Sequence, residues 1–205
     1  MATRIRKPAD ERRDEIVETA LALADQAGPD RLTTGAVAEA IGITQAAIFR
    51  HFPKKQDLWD AVATSIARRM EGRWAEALAG GDGARERLTR LVRGQLRLVQ
   101  ETPAIPAILF SRELHTDNAA LRTAFLGLMS RFAGLLAGIV DEGRAQGTFR
   151  TDLDPREAAF MIIAIMQGVI VRWSLSGRGF DLCREGERLL TLGLCGLAPT
   201  GGDRS

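Results

Sequence analysis

Thr33-Thr34-Gly35-Ala36-Val37-Ala38-Glu39-Ala40-Ile41-Gly42-Ile43-Thr44-Gln45-Ala46-Ala47-Ile48-Phe49-Arg50-His51 reads as two short helices joined by a tight turn. Thr33 or Thr34 offers the N-cap hydroxyl of a first helix ending near Ile41, with Val37, Ala38 and Ile41 turned inward. Gly42 closes that helix, Ile43 is the buried residue of the turn, and Thr44 caps a second helix over Gln45–His51. Ala38 is small where the helices must cross closely, and Ile43 and Ile48 pin the second helix to a core. Thr44, Gln45, Ala46, Ala47 and Arg50 are left on the outer side. This is the grammar of a helix-turn-helix, whose second helix enters the DNA major groove N-terminus first. Small and amide-bearing residues at that end suit close approach to base edges. By spacing alone, an ordinary helical hairpin fits as well.

Helical periodicity continues on both sides, without convincing strand alternation. A first helix runs from Ala9 to Ala27 with Ile16, Ala20, Leu23, Ala24 and Ala27 on one face, ended by Gly28-Pro29. After Phe52-Pro53, a longer helix begins at Lys54 or Lys55 and reaches Leu78, with Leu58, Trp59, Val62, Ile66 and Met70 as its stripe. Gly80-Gly81-Asp82-Gly83 is the clearest break, and helices over about 84–101, 103–115, 119–146, 155–175 and 181–197 follow. The expectation is an all-α chain of about nine helices. Residues 1–54 form a three-helix domain with a basic N-terminal arm, and residues 55–205 form a larger helical domain, with the helix over about 55–78 as connector.

Composition bounds the function. The chain has 205 residues, 45% hydrophobic and 26% charged, enough for a core and unlike a disordered polymer. Its net charge of +2 announces no nucleic acid by itself. Clusters say more: Arg4, Arg6 and Lys7 form one, and Arg50, His51, Lys54 and Lys55 another. Two cysteines and two histidines make neither a disulfide scaffold nor a zinc pattern. The longest apolar run, Ala158–Val171, has 14 residues, short of the roughly 20 that span a membrane. The N-terminus is basic with no apolar stretch behind it, unlike a secretory signal. A soluble, cytoplasmic protein without membrane partner is expected. His115 lies near Glu113, Asp117 and Ser111, but neither a nucleophile motif nor a metal motif accompanies it, so no enzyme, cofactor or metal site is expected.

Gly28 to Val62 closely resembles the N-terminal DNA-binding domain of the TetR (tetracycline-repressor-like) family of bacterial regulators. The matching words are Thr33-Thr34, Val37-Ala38, Ile41-Gly42-Ile43-Thr44, Ala47-Ile48-Phe49-Arg50-His51-Phe52, and Lys55 with Asp57-Leu58. The resemblance implies a homodimer on a palindromic double-stranded operator and, most often, repression relieved by a small molecule. It puts Thr33 and Thr34 near phosphate and Thr44, Gln45 and Ala46 at the groove-facing start of the recognition helix. His51 and Lys55 match positions that touch phosphate. Position 49 is commonly Tyr, so Phe49 loses a phosphate hydrogen bond and is left to stack on sugar or pack inward. Position 45 is often Lys; Gln45 is suited to a bidentate bond with adenine. Arg4, Arg6 and Lys7 either stay solvated or follow the DNA backbone and minor groove.

Trp74, Phe110, Phe125, Met129, Phe132 and Met166 lie on the middle helices, where core and ligand wall read alike. His115 reads as a polar helix-end residue or, alternatively, as a polar anchor for ligand; as a wall these side chains predict an apolar or aromatic effector. The helix over 155–175 is apolar nearly all round and so must be buried on several sides. With the last helix it implies a self-pairing interface carrying Phe160, Ile163, Val169, Leu182, Leu189 and Leu192. Cys183 and Cys195 point about 120° apart on the last helix, so they cannot bridge; they read as small buried thiols, with a redox sensor as the alternative. The reading is a repressor released by a small, largely apolar effector. The alternative is a DNA-binding regulator answering to a protein partner or to DNA structure.

Overall fold

The structure is a computed structural model that describes residues 8–81 and 83–199. Among these residues every regular element is helical. The order is α1 (Ala9–Ala27), a 3-10 turn (Pro29–Arg31), α2 (Thr34–Ala40), α3 (Gln45–His51), α4 (Lys55–Leu78) and α5 (Ala84–Glu101). There follow α6 (Ala104–Leu109), α7 (Arg112–Asp117), α8 (Ala119–Ala145), α9 (Pro155–Leu175) and α10 (Leu182–Cys195).

The chain divides into two compact units, one of residues up to 67 with 103–125, the other of residues 68–102 with 126 onward. In the first, α1 packs against α2, α3 and α6. Ile16, Ala20, Val37, Ile48, Phe52 and Val62 are fully buried there. Gly28 ends α1 at φ +87°, a value that favours glycine, and Pro29 prevents continuation. In the second unit, α10 packs on α5 and α9 around Leu88, Leu91, Leu96, Leu136, Ile162 and Leu190. Gly186 permits the α5–α10 approach, since a methyl there would overlap Leu96 Cδ1. Arg93 and Glu187 pair across the rim of that contact.

The helix expected over 103–115 is two helices. Ser111 takes an extended conformation (φ −71°, ψ 106°), accepts from Leu114 N–H at 3.1 Å to cap α7, and donates to Asp30 Oδ1 at 2.7 Å. The capping bond competes with a continuous helix at this serine, and a partner 81 residues away holds it. Both α8 and α9 contain 18-residue windows of mean hydropathy 1.6 and 1.8, long and apolar enough to cross a bilayer. The unbroken-run reading missed this. Ala158, Ile162, Met166, Val169 and Trp173 nevertheless make one side of α9 core, as a buried amphipathic face requires.

Candidate nucleic-acid interface

Both short helices start as their sequence dictates. Thr33 is extended (φ −122°, ψ 151°) and its hydroxyl accepts from Ala36 N–H at 3.1 Å. Thr44 (φ −81°, ψ 151°) does the same for Ala47 N–H at 3.2 Å. Each bond satisfies a donor that a first helical turn leaves unpaired. Between them Gly42 takes φ +64° and Ile43 N–H reaches the Ala38 carbonyl at 2.9 Å. A residue with a Cβ would be strained at that φ. Ile48 is fully buried and fixes the rotation of α3, while Thr44, Gln45, Ala46, Phe49 and Arg50 are exposed. Phe49 is 42% exposed, so it does not pack inward.

Arg13 of α1 braces this helix from behind. Its guanidinium lies 4.4 Å from the Phe52 ring centroid, and its Nη1 donates to the His51 carbonyl at 2.5 Å. Arg13 was not singled out in the sequence, although it shares the face of Ile16 and Ala20 at helical spacing. His51 is half-buried, and burial first, then Arg13, Arg50 and Arg12, hold its pKa below the usual imidazole value. Lys54 and Lys55 are exposed at the start of α4. Asp57 Oδ2 accepts from Lys54 N–H at 2.8 Å, so this carboxylate caps α4 and leaves the lysine ammonium groups outward.

Thr34 departs from expectation. It is only 7% exposed and its hydroxyl accepts from Gln45 Nε2 at 2.8 Å, so Thr33 is the exposed hydroxyl at this end of α2. Arg4, Arg6 and Lys7 lie outside the described residues.

The residues expected around an effector fall into separate groups. In the first unit, His115 meets Phe125 edge to face at 5.8 Å, its Nε2 lies 3.0 Å from the Leu109 carbonyl, and Nδ1 is buried without a partner. Phe110 is 43% exposed. In the second, Trp74 packs at 5.1 Å from Phe132 and donates Nε1–H to buried Gln95 Oε1 at 2.8 Å. Met166 is buried and Met129 half-buried. An open groove of about 620 Å³ is lined by Arg68, Arg69, Arg73, Glu76, Leu98 and Glu101, and by none of the expected effector residues. Gln95 and this groove were not foreseen. Among the described residues no cluster of three or more His, Cys, Asp or Glu is placed to hold a metal.

On α9 and α10, Phe160 and Leu192 are exposed and Ile163 and Leu189 half-buried. Val169 and Leu182, expected at a self-pairing surface, are corrected to core: each is closed off within the single chain, at 2% and 0% exposure. Cys195 is also corrected, being exposed; Cys183 is partly buried, and burial pushes its thiol pKa up. Both thiols are free.

Residues 16–62 match the model of bacterial regulatory proteins of the tetR family, and residues 67–196 match that of the C-terminal region of YsiA-like proteins. The chain belongs to the tetR family of bacterial regulatory proteins. Like its tetR-family relatives it is a transcriptional regulator and not an enzyme. It is 27% identical over 187 residues to the HTH-type transcriptional repressor KstR2 of Rhodococcus jostii, covering 91% of each chain. It is 27% identical over 163 residues to the nucleoid occlusion factor SlmA of Escherichia coli, covering 79% of this chain and 82% of that one. Among solved structures, a transcriptional regulator from Saccharomonospora viridis in complex with choline superposes with a TM-score of 0.82 at 25% identity. That match covers 93% of this chain and 100% of the other. The tetR-family assignment thus embraces both units.

Proposed function

We propose that this tetR-family chain is a cytoplasmic, dimeric repressor that leaves a palindromic operator when a small, largely apolar effector binds. The observation that carries the operator half is the outer face of α3: Thr44, Gln45, Ala46, Phe49 and Arg50 exposed over a fully buried Ile48. In this reading Thr33, Thr44, His51 and Lys55 hold phosphates, and Gln45 and Arg50 reach base edges. A two-fold dimer presents two such helices to half-sites about 34–36 Å apart or a multiple of that.

That a small molecule acts on the chain is supported by its resemblance to KstR2, a repressor, and to a regulator in complex with choline; the apolar character rests on the residues alone. Trp74, Phe132 and Gln95 supply aromatic surface with one polar group, the composition of many small-molecule sites. Helix α4 is the lever, running unbroken from Lys55 to Leu78. A thermal-shift screen of metabolites finds the ligand, whose affinity is then measured with and without saturating operator. The expected result is at least tenfold weaker binding on DNA, a coupling of about 1.4 kcal/mol. Equal affinities overturn the effector half. Resemblance to the nucleoid occlusion factor favours a second reading, DNA binding answered by a protein partner.

The pH dependence of operator binding has a definite sign. Burial, then Arg13, Arg50 and Arg12, lower the His51 pKa and so favour the neutral ring in the free protein. A phosphate beside it favours the protonated ring, so the complex binds more protons than the free protein. Affinity therefore rises as pH falls through the pKa of the bound ring towards the lowered pKa of the free one, by up to tenfold per unit of pKa difference. His51→Gln flattens the profile. Fluorescence anisotropy of labelled operator checks it, and a rise in affinity with pH contradicts the phosphate role.

A further inference from the structure

Gln45 carries the only carboxamide among the exposed side chains of α3. Its Nε2 is tied to Thr34 Oγ1 at 2.8 Å, and Thr34, buried at the first residue of α2, is held in place by the helix it begins. A carboxamide has two N–H donors and one acceptor oxygen. An untethered glutamine on a recognition helix turns either end towards a base. Here Nε2 gives one N–H to the Thr34 hydroxyl, which leaves Oε1 and the second N–H to face a base.

We infer that Thr34 is a positioning residue that makes Gln45 select adenine over guanine, a deepening that rests on the operator reading above. In the major groove adenine offers a donor at N6 beside an acceptor at N7, whereas guanine offers acceptors at both O6 and N7. Oε1 with the remaining N–H matches adenine's donor and acceptor. Guanine is best met by the amino group facing both its acceptors, which the tie to Thr34 opposes, and O6 would face Oε1, acceptor against acceptor. The buried hydroxyl thus sets specificity without touching DNA. It also explains why Thr34 is withdrawn from solvent while Thr33 alone does the capping.

The full-length protein is used to select from a random-sequence duplex library, alongside Gln45→Ala, Thr34→Val and Thr34→Ser. Wild type enriches inverted half-sites, and Gln45→Ala flattens one position in each, which in wild type is adenine. Thr34→Val preserves shape but removes the hydroxyl. It lowers the adenine-to-guanine ratio at that position by on the order of tenfold, a part of the discrimination a bidentate contact supplies, and leaves other positions unchanged. Thr34→Ser restores the ratio. A purely structural role for Thr34 would weaken all sequences alike and leave the ratio intact, which overturns the inference while the operator reading stands. Guanine at the position that Gln45→Ala flattens overturns it too. Failure of wild type to enrich any inverted repeat defeats the operator reading itself, and the inference with it.

Discussion

Phe160→Asp combined with Leu192→Asp yields a folded monomer whose operator affinity is lower by on the order of 10³-fold, the low end of the gap between specific and non-specific binding. Phe160 is 62% exposed, Val171 42%, Leu175 84% and Leu192 69%. Phe160, Ala164, Gly168, Val171 and Leu175 follow one another at three- and four-residue spacing along an exposed face of α9. An exposed apolar run of this kind marks a contact surface, and the small residues at its centre admit a second helix closely. Burying one large apolar side chain contributes about 1.5–3 kcal/mol. A two-fold axis uses each residue twice, so the double variant removes four such side chains and buries four carboxylates instead. Losing the dimer leaves one reading helix where two were joined. Sedimentation gives the assembly state and electrophoretic shift the affinity. A variant that remains dimeric, or a monomer that binds operator as tightly as wild type, refutes this surface. Val169→Ala and Leu182→Ala are the controls: both side chains are core, so stability falls and assembly does not change.

What the sequence disclosed and what it hid follow from the range of the interactions. Thr33, Gly42, Thr44 and Ile48 act within a few residues of themselves, through caps, a positive φ and a helical phase, so the starts of α2 and α3, the turn between them and the outer face of α3 were legible. The break between α6 and α7 was not, because Ser111 owes part of its conformation to Asp30, 81 residues distant. The Gln45–Thr34 bond joins residues 11 apart across the turn, and a spacing pattern does not distinguish a hydroxyl aimed at phosphate from one aimed at an amide. Helix α9 is apolar nearly all round between Ala158 and Val171, so its pattern carries little phase. Phe160 and Val169 looked alike there, and only packing separates the exposed one from the core one. Aromatic residues such as Trp74 and Phe125 present the same difficulty, since a wall and a core use the same side chains.

Phe52→Ala lowers the stability of the DNA-binding unit by about 3–5 kcal/mol, the cost of deleting a fully buried aromatic. Phe52 ends α3, its N–H bonded to the Ile48 carbonyl at 2.9 Å, and its ring lies under the Arg13 guanidinium. Removing the ring leaves a cavity beneath α3 and takes from Arg13 the surface that orients it against the His51 carbonyl. Against a total stability of about 5–15 kcal/mol for a folded domain, that loss is a large share. Arg13→Ala is expected to cost less, about 1–2 kcal/mol, because a partly solvated cation–π contact and one hydrogen bond are each modest. The tryptophans let the effect be read locally. Trp59 lies in the first unit, whereas Trp74 and Trp173 lie in the second. In a Trp74→Phe, Trp173→Phe background, urea unfolding followed by Trp59 fluorescence should show the lowered midpoint with Phe52→Ala, a smaller drop with Arg13→Ala, and partial recovery with Phe52→Leu. A Phe52→Ala change below about 1 kcal/mol would mean that the helix closes over the vacated space, and that Phe52 does not hold α3 in its reading position.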